Sequence, residues 1–307
     1  MAPIAPWLAW VPEVLSRVTV ASGVGYLAVA YTVSRWLTRR SPARLTMPAS
    51  DGSVSWAAAE CRTADGLRLR GWVATPLRPV ATVALFHGMR LNRSAALGRI
   101  AFLTRSGYRC VAFDHRAHGE SEGGGTSFGY HESRDAEAVS AWIASRWPGQ
   151  PCAALGMSMG AAALCFADPT KLHFQAFLLE SMYHNLAGAF AHRVGTGYPK
   201  WFRHFRTGII WITERRHRMR IEQVAPAEHW TKLAPRPVAV LTGADDPHAP
   251  PNETTELFSR SWPGCELHLV PNAGHADVLE VGGHAYRQLV LRFLERCLSV
   301  RSRSLAA

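Results

Sequence analysis

The chain has 307 residues, 48% hydrophobic and 19% charged, with a formal net charge of +11. This composition excludes a disordered or fibrous chain, and the length suits one large α/β domain or two modest ones with a sizeable core. No repeat of fixed period and no long low-complexity tract occurs, which argues against a solenoid.

The basic residues are scattered, with denser pieces near the N-terminus, in residues 193–220 and at the C-terminus. None accompanies a nucleic-acid fold motif, so nucleic acid is not an expected partner. The six cysteines are widely spread and form no CxxC pair, which argues against a zinc ribbon or a thioredoxin-type site. Cys110 and Cys152 fall in apolar runs and read as small buried hydrophobes.

In chain order, the first predicted element is a hydrophobic helix. A charge-free run extends from Val18 to Val33, and Trp36 and Leu37 can lengthen it. A membrane span needs about 20 apolar residues. Arg35, Arg39, Arg40 and Arg44 follow the run, an excess that would hold the following domain in the cytoplasm. The leading expectation is therefore a membrane anchor with a cytoplasmic domain behind it. Two alternatives stand beside it. One is a helix packed on the domain. The other is a signal peptide and a secreted chain, since Ala28-Val29-Ala30 is an A-x-A-like site. Residues 1–50 are thus read as helix and linker, and 51–307 as the main domain.

From residue 55 the pattern alternates. Two strand-like runs flank Asp65-Gly66, a hairpin signal. VATVALFHG (80–88) is a continuous apolar run, as expected of a strand buried on both faces. A helical stretch follows at 94–106, then a strand at 108–114. Ala136, Val139, Trp142 and Ile143 recur at helical spacing. CAALG (152–156) reads as a strand and AAALCFA (161–167) as a helix. FQAFLLES, RPVAVLTG and CELHLVPN are further strands, and the last helix is expected at 284–299. Strands alternating with helices imply a mostly parallel central sheet flanked by helices. Residues 184–230 break the rhythm with eight Lys/Arg and a set of aromatics, and read as an inserted helical cap. Within it, Trp201, Phe205, Ile209 and Ile212 are spaced to share one helical face.

Three loops carry groups suited to nucleophilic catalysis. LGMSMGAAAL (155–164) places Ser158 between Gly156 and Gly160, where a strand would turn abruptly into a helix and hold the hydroxyl clear of the backbone. A serine hydroxyl is a weak nucleophile and needs an adjacent base. His275, in VPNAGHADVLE, sits in a loop after a strand and can accept and return a proton near neutrality. VAVLTGADDPHAPP follows another strand with Asp245 and Asp246. Either carboxylate could fix the imidazole tautomer, and either could instead cap a following helix.

With these pieces in the order serine, aspartate, histidine, the chain resembles the α/β-hydrolase superfamily over about residues 55–298. The similar branch is that of monoacylglycerol lipases, serine aminopeptidases and membrane-anchored hydrolases of poorly defined substrate. LFHGM, with His87 and Gly88, resembles the oxyanion-hole loop. FDHRAHGES, beginning its motif at Asp114, resembles the D-x-R-G-x-G-x-S segment, with Ala117 where glycine is usual. GADDPHAP resembles the G-x-x-D-x-x-x-P loop, and that register selects Asp246. The resemblance implies a triad of Ser158, Asp246 and His275, and an oxyanion hole made by the backbone N–H groups of Met89 and Met159.

The expected activity is hydrolysis of a carboxylic ester or thioester through an acyl-enzyme, with no metal and no organic cofactor. His115 and His118 are spaced as a metal pair, but no third ligand lies nearby in sequence. The aromatic, basic cap suits a small-molecule or lipid substrate with an apolar part, and a membrane surface is a candidate partner. The alternatives are a serine peptidase of the same fold and a non-catalytic binding module. A peptidase gripping a substrate amine would want carboxylates in the cap, which has only Glu214, Glu222 and Glu228.

Overall fold

The computed structural model describes residues 11–194 and 198–299. Helix α1 (Val11–Leu37) is followed by strands β1 (Ser41–Pro42), β2 (Val54–Arg62), β3 (Arg68–Pro76) and β4 (Ala81–Phe86). Then come α2 (Leu97–Arg105), β5 (Tyr108–Phe113), β6 (His118–Gly119), α3 (Ser133–Arg146), β7 (Cys152–Met157), α4 (Met159–Phe166) and β8 (Ala176–Glu180). The remainder is α5 (Leu186–Arg193), α6 (Arg206–His217), α7 (Pro226–His229), β9 (Val238–Gly243), α8 (Pro251–Phe258), β10 (Cys265–Val270) and α9 (Val278–Leu298).

Contacts divide the chain into two compact units. The larger comprises residues 39–193 and 222–307, and the smaller comprises 1–38 and 194–221. This redraws the expected partition into 1–50 and 51–307 with a cap at 184–230. The flanks of that segment tie to each other: Leu186 N–H donates to Val224 O (2.8 Å) and Ala227 N–H to His184 O (3.2 Å). Both flanks belong to the larger unit.

The larger unit is built on an eight-stranded sheet in the order β10-β9-β8-β7-β4-β5-β3-β2. β2/β3 and β3/β5 pair antiparallel and the rest parallel. Strands β4, β5, β7, β8 and β9 are buried along their whole length. That is why they read as unbroken apolar runs: a strand covered on both faces has no polar side to alternate with. The alternation of their side chains sends Phe86, Phe113 and Phe177 to one core and Leu85, Ala112 and Leu178 to another. The chain order reverses across β4, with β5 on one side and β7 on the other. In open α/β sheets, ligands bind beyond the carboxyl ends of strands at such a switch point.

In the smaller unit α1 pairs with α6. Tyr26 stacks on Phe205 at 5.1 Å between ring centroids and its hydroxyl accepts the Gly208 N–H at 3.1 Å. Ser34 and Thr213 share a hydrogen bond of 2.9 Å. The expected single face of Trp201, Phe205, Ile209 and Ile212 does not form. Residues 200–205 make a 3₁₀ turn rather than extending α6, so Trp201 is exposed while Ile209 and Ile212 are buried. The expectation of a membrane span is also revised. α1 is 27 residues long, yet among the described residues no helix is long and apolar enough to cross a membrane. Ala28 and Ala30, the A-x-A pair, lie within α1, and Ala30 is buried.

Candidate active site

β7 ends at Met157 and α4 begins at Met159, so one residue must turn the chain. Ser158 does so at φ 50° and ψ −109°. An L-residue there is strained by about 1–3 kcal/mol and persists only where its surroundings hold it. Ser158 N–H donates to Glu180 O on the neighbouring strand (2.7 Å), and Ser158 O accepts from Ala162 N–H (3.0 Å). The flanking glycines are steric necessities. A Cβ on Gly160 would stand 2.2 Å from Phe86 O, and one on Gly156 would stand 2.6 Å from Ala161 N.

The other two loops are stitched together. Ala244 N–H donates to Val270 O and Asp245 N–H to Ala273 O, both at 2.9 Å. A Cβ on Gly243 would meet Ala273 O at 2.2 Å, so only glycine lets the loops approach this closely. The approach places Asp246 against His275. His275 Nδ1 lies 2.8 Å from Asp246 Oδ2 and 3.1 Å from Oδ1, and Nε2 lies 2.9 Å from Ser158 Oγ. Asp245 is exposed and contributes its N–H, whereas Asp246 is buried. Burial pushes the Asp246 carboxyl up in pKa, but the His275 hydrogen bond and charge, with N–H groups from Ala249 and His248, outweigh it and hold it below its usual value. With Asp246 ionised, Nδ1 carries the proton and Nε2 is left to accept from the Ser158 hydroxyl. His248, its ring 5.3 Å from that of His275, is held down to about 4 by burial, with Arg193 and His275 adding to it.

The loop after β4 runs beside the elbow: a Cβ on Gly88 would stand 3.5 Å from Ser158 Cβ. Met89 follows in that loop. Met159 is the first residue of α4, so its N–H has no acceptor within the helix. Two histidines set the loop. His87 Nδ1 donates to Gly88 O (2.8 Å) and Nε2 accepts from His115 N–H (3.0 Å). His118 Nδ1 donates to Arg116 O (2.8 Å) and Nε2 accepts from Arg90 N–H (3.1 Å). Burial lowers the pKa of both, so each is a neutral ring with its tautomer fixed by backbone. Among the described residues no group of three or more His, Cys, Asp or Glu is placed to hold a metal ion.

Asp114 lies beneath this loop, fully buried. It pairs with the Arg93 guanidinium and accepts N–H groups from Arg93 (2.7 Å) and Glu120 (2.9 Å). Gly119, at φ +50°, is packed against that carboxylate. Ala117 sits at φ 61°, a left-handed conformation that explains why glycine is the usual residue there.

Sequence reasoning missed the support under the elbow. The Glu180 carboxylate pairs with Arg99 and accepts the Tyr286 hydroxyl at 2.7 Å, all three being buried. It also missed Glu132. That buried carboxylate takes hydrogen bonds from Ser127 N–H (2.9 Å), Ser127 Oγ (2.6 Å), Thr126 Oγ1 (3.0 Å) and Gly129 N–H (2.8 Å). Thr126 Oγ1 in turn lies 3.3 Å from Met159 Sδ. Arg99 and Tyr286 lie 81 and 106 residues from Glu180 in sequence, so that cluster gives no local signal.

Residues 78–189 match the sequence profile of a family described as serine aminopeptidase, S33. The uncharacterized protein YqkD of Bacillus subtilis is 25% identical over 238 residues, covering 76% of this chain and 77% of that one. The Pyrococcus furiosus esterase Pf2001 superposes with a TM-score of 0.70 at 23% identity, over 85% of this chain and 98% of that one. XC6422 of Xanthomonas campestris, described as an a/b serine hydrolase without lid, gives a TM-score of 0.55 at 16% identity, over 82% and 98%. With the sheet, the elbow after β7 and these likenesses together, the chain has the α/β-hydrolase fold, and over residues 78–189 it is similar to the serine aminopeptidase family.

Proposed function

We propose that the protein is a serine hydrolase cleaving a carboxylic ester or thioester of an acyl or lipid-type molecule. The observation that carries this reading is the unbroken hydrogen-bond chain from Ser158 Oγ through His275 to buried Asp246. Ser158 Oγ attacks the carbonyl carbon while His275 Nε2 takes its proton, and Asp246 steadies the imidazolium so formed. Negative charge then grows on the carbonyl oxygen, where the N–H groups of Met89 and Met159 receive it. Loss of one such donor typically costs about 10²–10³ in rate. His275 returns the proton to the departing alcohol or thiol. Water, deprotonated by His275, releases the acid from Ser158. The scheme calls on no metal and no organic cofactor.

The test is labelling of the full chain by a fluorophosphonate, which reacts with serines activated by a base. Wild type is expected to label, and Ser158→Ala and His275→Ala are not. A folded wild type that stays unlabelled would overturn the reading and favour a binding module. One observation supports a second reading, cleavage of an amide: the profile matched by residues 78–189 is that of a serine aminopeptidase. Aminoacyl p-nitroanilides set against p-nitrophenyl esters separate the two.

A further inference from the structure

We infer that the smaller unit docks on the surface of an anionic lipid bilayer through one face of α1, lying in the headgroup layer rather than crossing it. The inference does not depend on what Ser158 attacks. α1 carries two apolar stripes with the same spacing. The first is Tyr26, Ala30, Val33 and Leu37: Tyr26 and Ala30 pack on α6, and Val33 and Leu37 are buried. A Cβ on Gly208 of α6 would stand 2.7 Å from the Tyr26 ring and 2.9 Å from Ala30 Cβ. The second, Val20, Val24, Leu27 and Tyr31, follows the same i, i+4, i+7, i+11 pattern and is 47% to 63% exposed. Trp201 and Trp211 in the same unit are exposed as well. Among the described residues, the much longer larger unit exposes large hydrophobics only at Leu77, Leu91, Leu269 and Val281.

Charge singles out the occupant. The smaller unit holds nine Lys/Arg against two carboxylates, Glu13 and Glu214. Guanidinium groups border the aromatics: Arg216 lies over the Tyr31 ring at 5.9 Å and Arg215 over Trp211 at 5.4 Å. Arg35 is one helical turn beyond Tyr31, and exposed. A ring with a cation beside it suits the depth where acyl chains meet phosphates. A short apolar stripe beside dense positive charge marks a helix that lies in the interface. A protein interface of ordinary kind would instead have few charges at its core. Lipid phosphates meet both features at once: the stripe enters the acyl boundary and the arginines bind the headgroups.

The test is co-sedimentation of the full chain with vesicles of phosphatidylcholine alone and of phosphatidylcholine mixed with phosphatidylglycerol. The expected result is binding to the mixed vesicles that weakens with salt and falls by about tenfold or more on phosphatidylcholine alone. Val24→Asp with Leu27→Asp should lower partitioning about tenfold or more, with the thermal midpoint unchanged because both positions are exposed. Arg35→Glu with Arg215→Glu should weaken binding to the mixed vesicles by about fivefold per residue or more, and leaves the apolar stripe intact should the first variant fail to fold. Wild type left in the supernatant, or variants that bind as wild type does, would overturn the inference. So would bound protein that resists salt and leaves only with detergent, which would mean insertion across the bilayer. A stripe variant that turns a lipid-free dimer into a monomer would overturn it too, assigning the stripe to a second copy of the chain.

Discussion

Gly160 lies inside α4, where alanine normally improves a helix by about 1 kcal/mol. Gly160→Ala is expected to do the reverse. The added Cβ would stand 2.2 Å from Phe86 O, 2.6 Å from Phe86 C and 2.9 Å from His87 O. All three are backbone atoms, at the end of β4 and the start of the loop that leads to Met89, so no side chain can swing aside. Relief requires α4 and that loop to part by roughly 1 Å. Overpacking of this kind costs about 1–3 kcal/mol. At about 2–4 °C per kcal/mol for a large domain, the midpoint should fall by roughly 2–12 °C. Activity should fall further than stability does, because a misplacement of about 1 Å at reacting groups costs on the order of 10²-fold. Calorimetry and ester hydrolysis measure the two effects. Gly124→Ala, where nothing lies within 4 Å, is the control. A Gly160→Ala protein with the midpoint and kcat of wild type or better would refute the close approach of the elbow and the loop after β4.

Glu132 tests the loop beside Met159 through pH. Burial raises its pKa, but other effects, led by the hydrogen bonds from the Ser127 hydroxyl and N–H, outweigh that and bring it down to about 2. A carboxylate depressed on folding stabilises fully above its unfolded value and loses that contribution as pH falls towards 2. The stability gap between wild type and Glu132→Gln in urea should therefore shrink by about 3 kcal/mol on acidification. A gap that does not change with pH between 5 and 2 would refute it. Glu180→Gln leaves the Arg99 guanidinium buried without its counter-charge and should destabilise by about 3–5 kcal/mol. Replacing both Arg99 and Glu180 by leucine should recover much of the loss, and a single variant of wild-type stability would show that the pair does not hold the elbow.

The parts of this fold that were legible are those where one local constraint acts alone. β4, β5 and β7 were read from apolar runs because both faces are covered. Ser158 was read from flanking glycines that the turn demands. Asp246 and Asp245 could not be told apart by residue type. Only the register of the loop, and then the tie from Asp245 N–H to Ala273 O, separates them. α9 begins at Val278, ahead of the expected 284. The chain bends at Gly283 (φ 49°) and the helix resumes. The partners of α1 were not legible: Gly208 and Phe205 lie about 180 residues away, and their packing follows from the fold of the whole chain.

The sheet also bears on how such a protein can change its preferences. The whole excursion between β8 and β9 leaves and returns to adjacent strands: Phe177 is paired with Val238, and Ser181 N–H donates to Leu241 O at 2.8 Å. Its ends are pinned whatever lies between them. Once ends are pinned, doubling a loop adds only about 0.6 kcal/mol of closure entropy. The residues between β8 and β9 can thus be exchanged or lengthened at little thermodynamic expense, while Ser158, Asp246 and His275 stay on strand ends outside that segment. New surfaces can arise there by insertion while those three strand-end residues keep their arrangement.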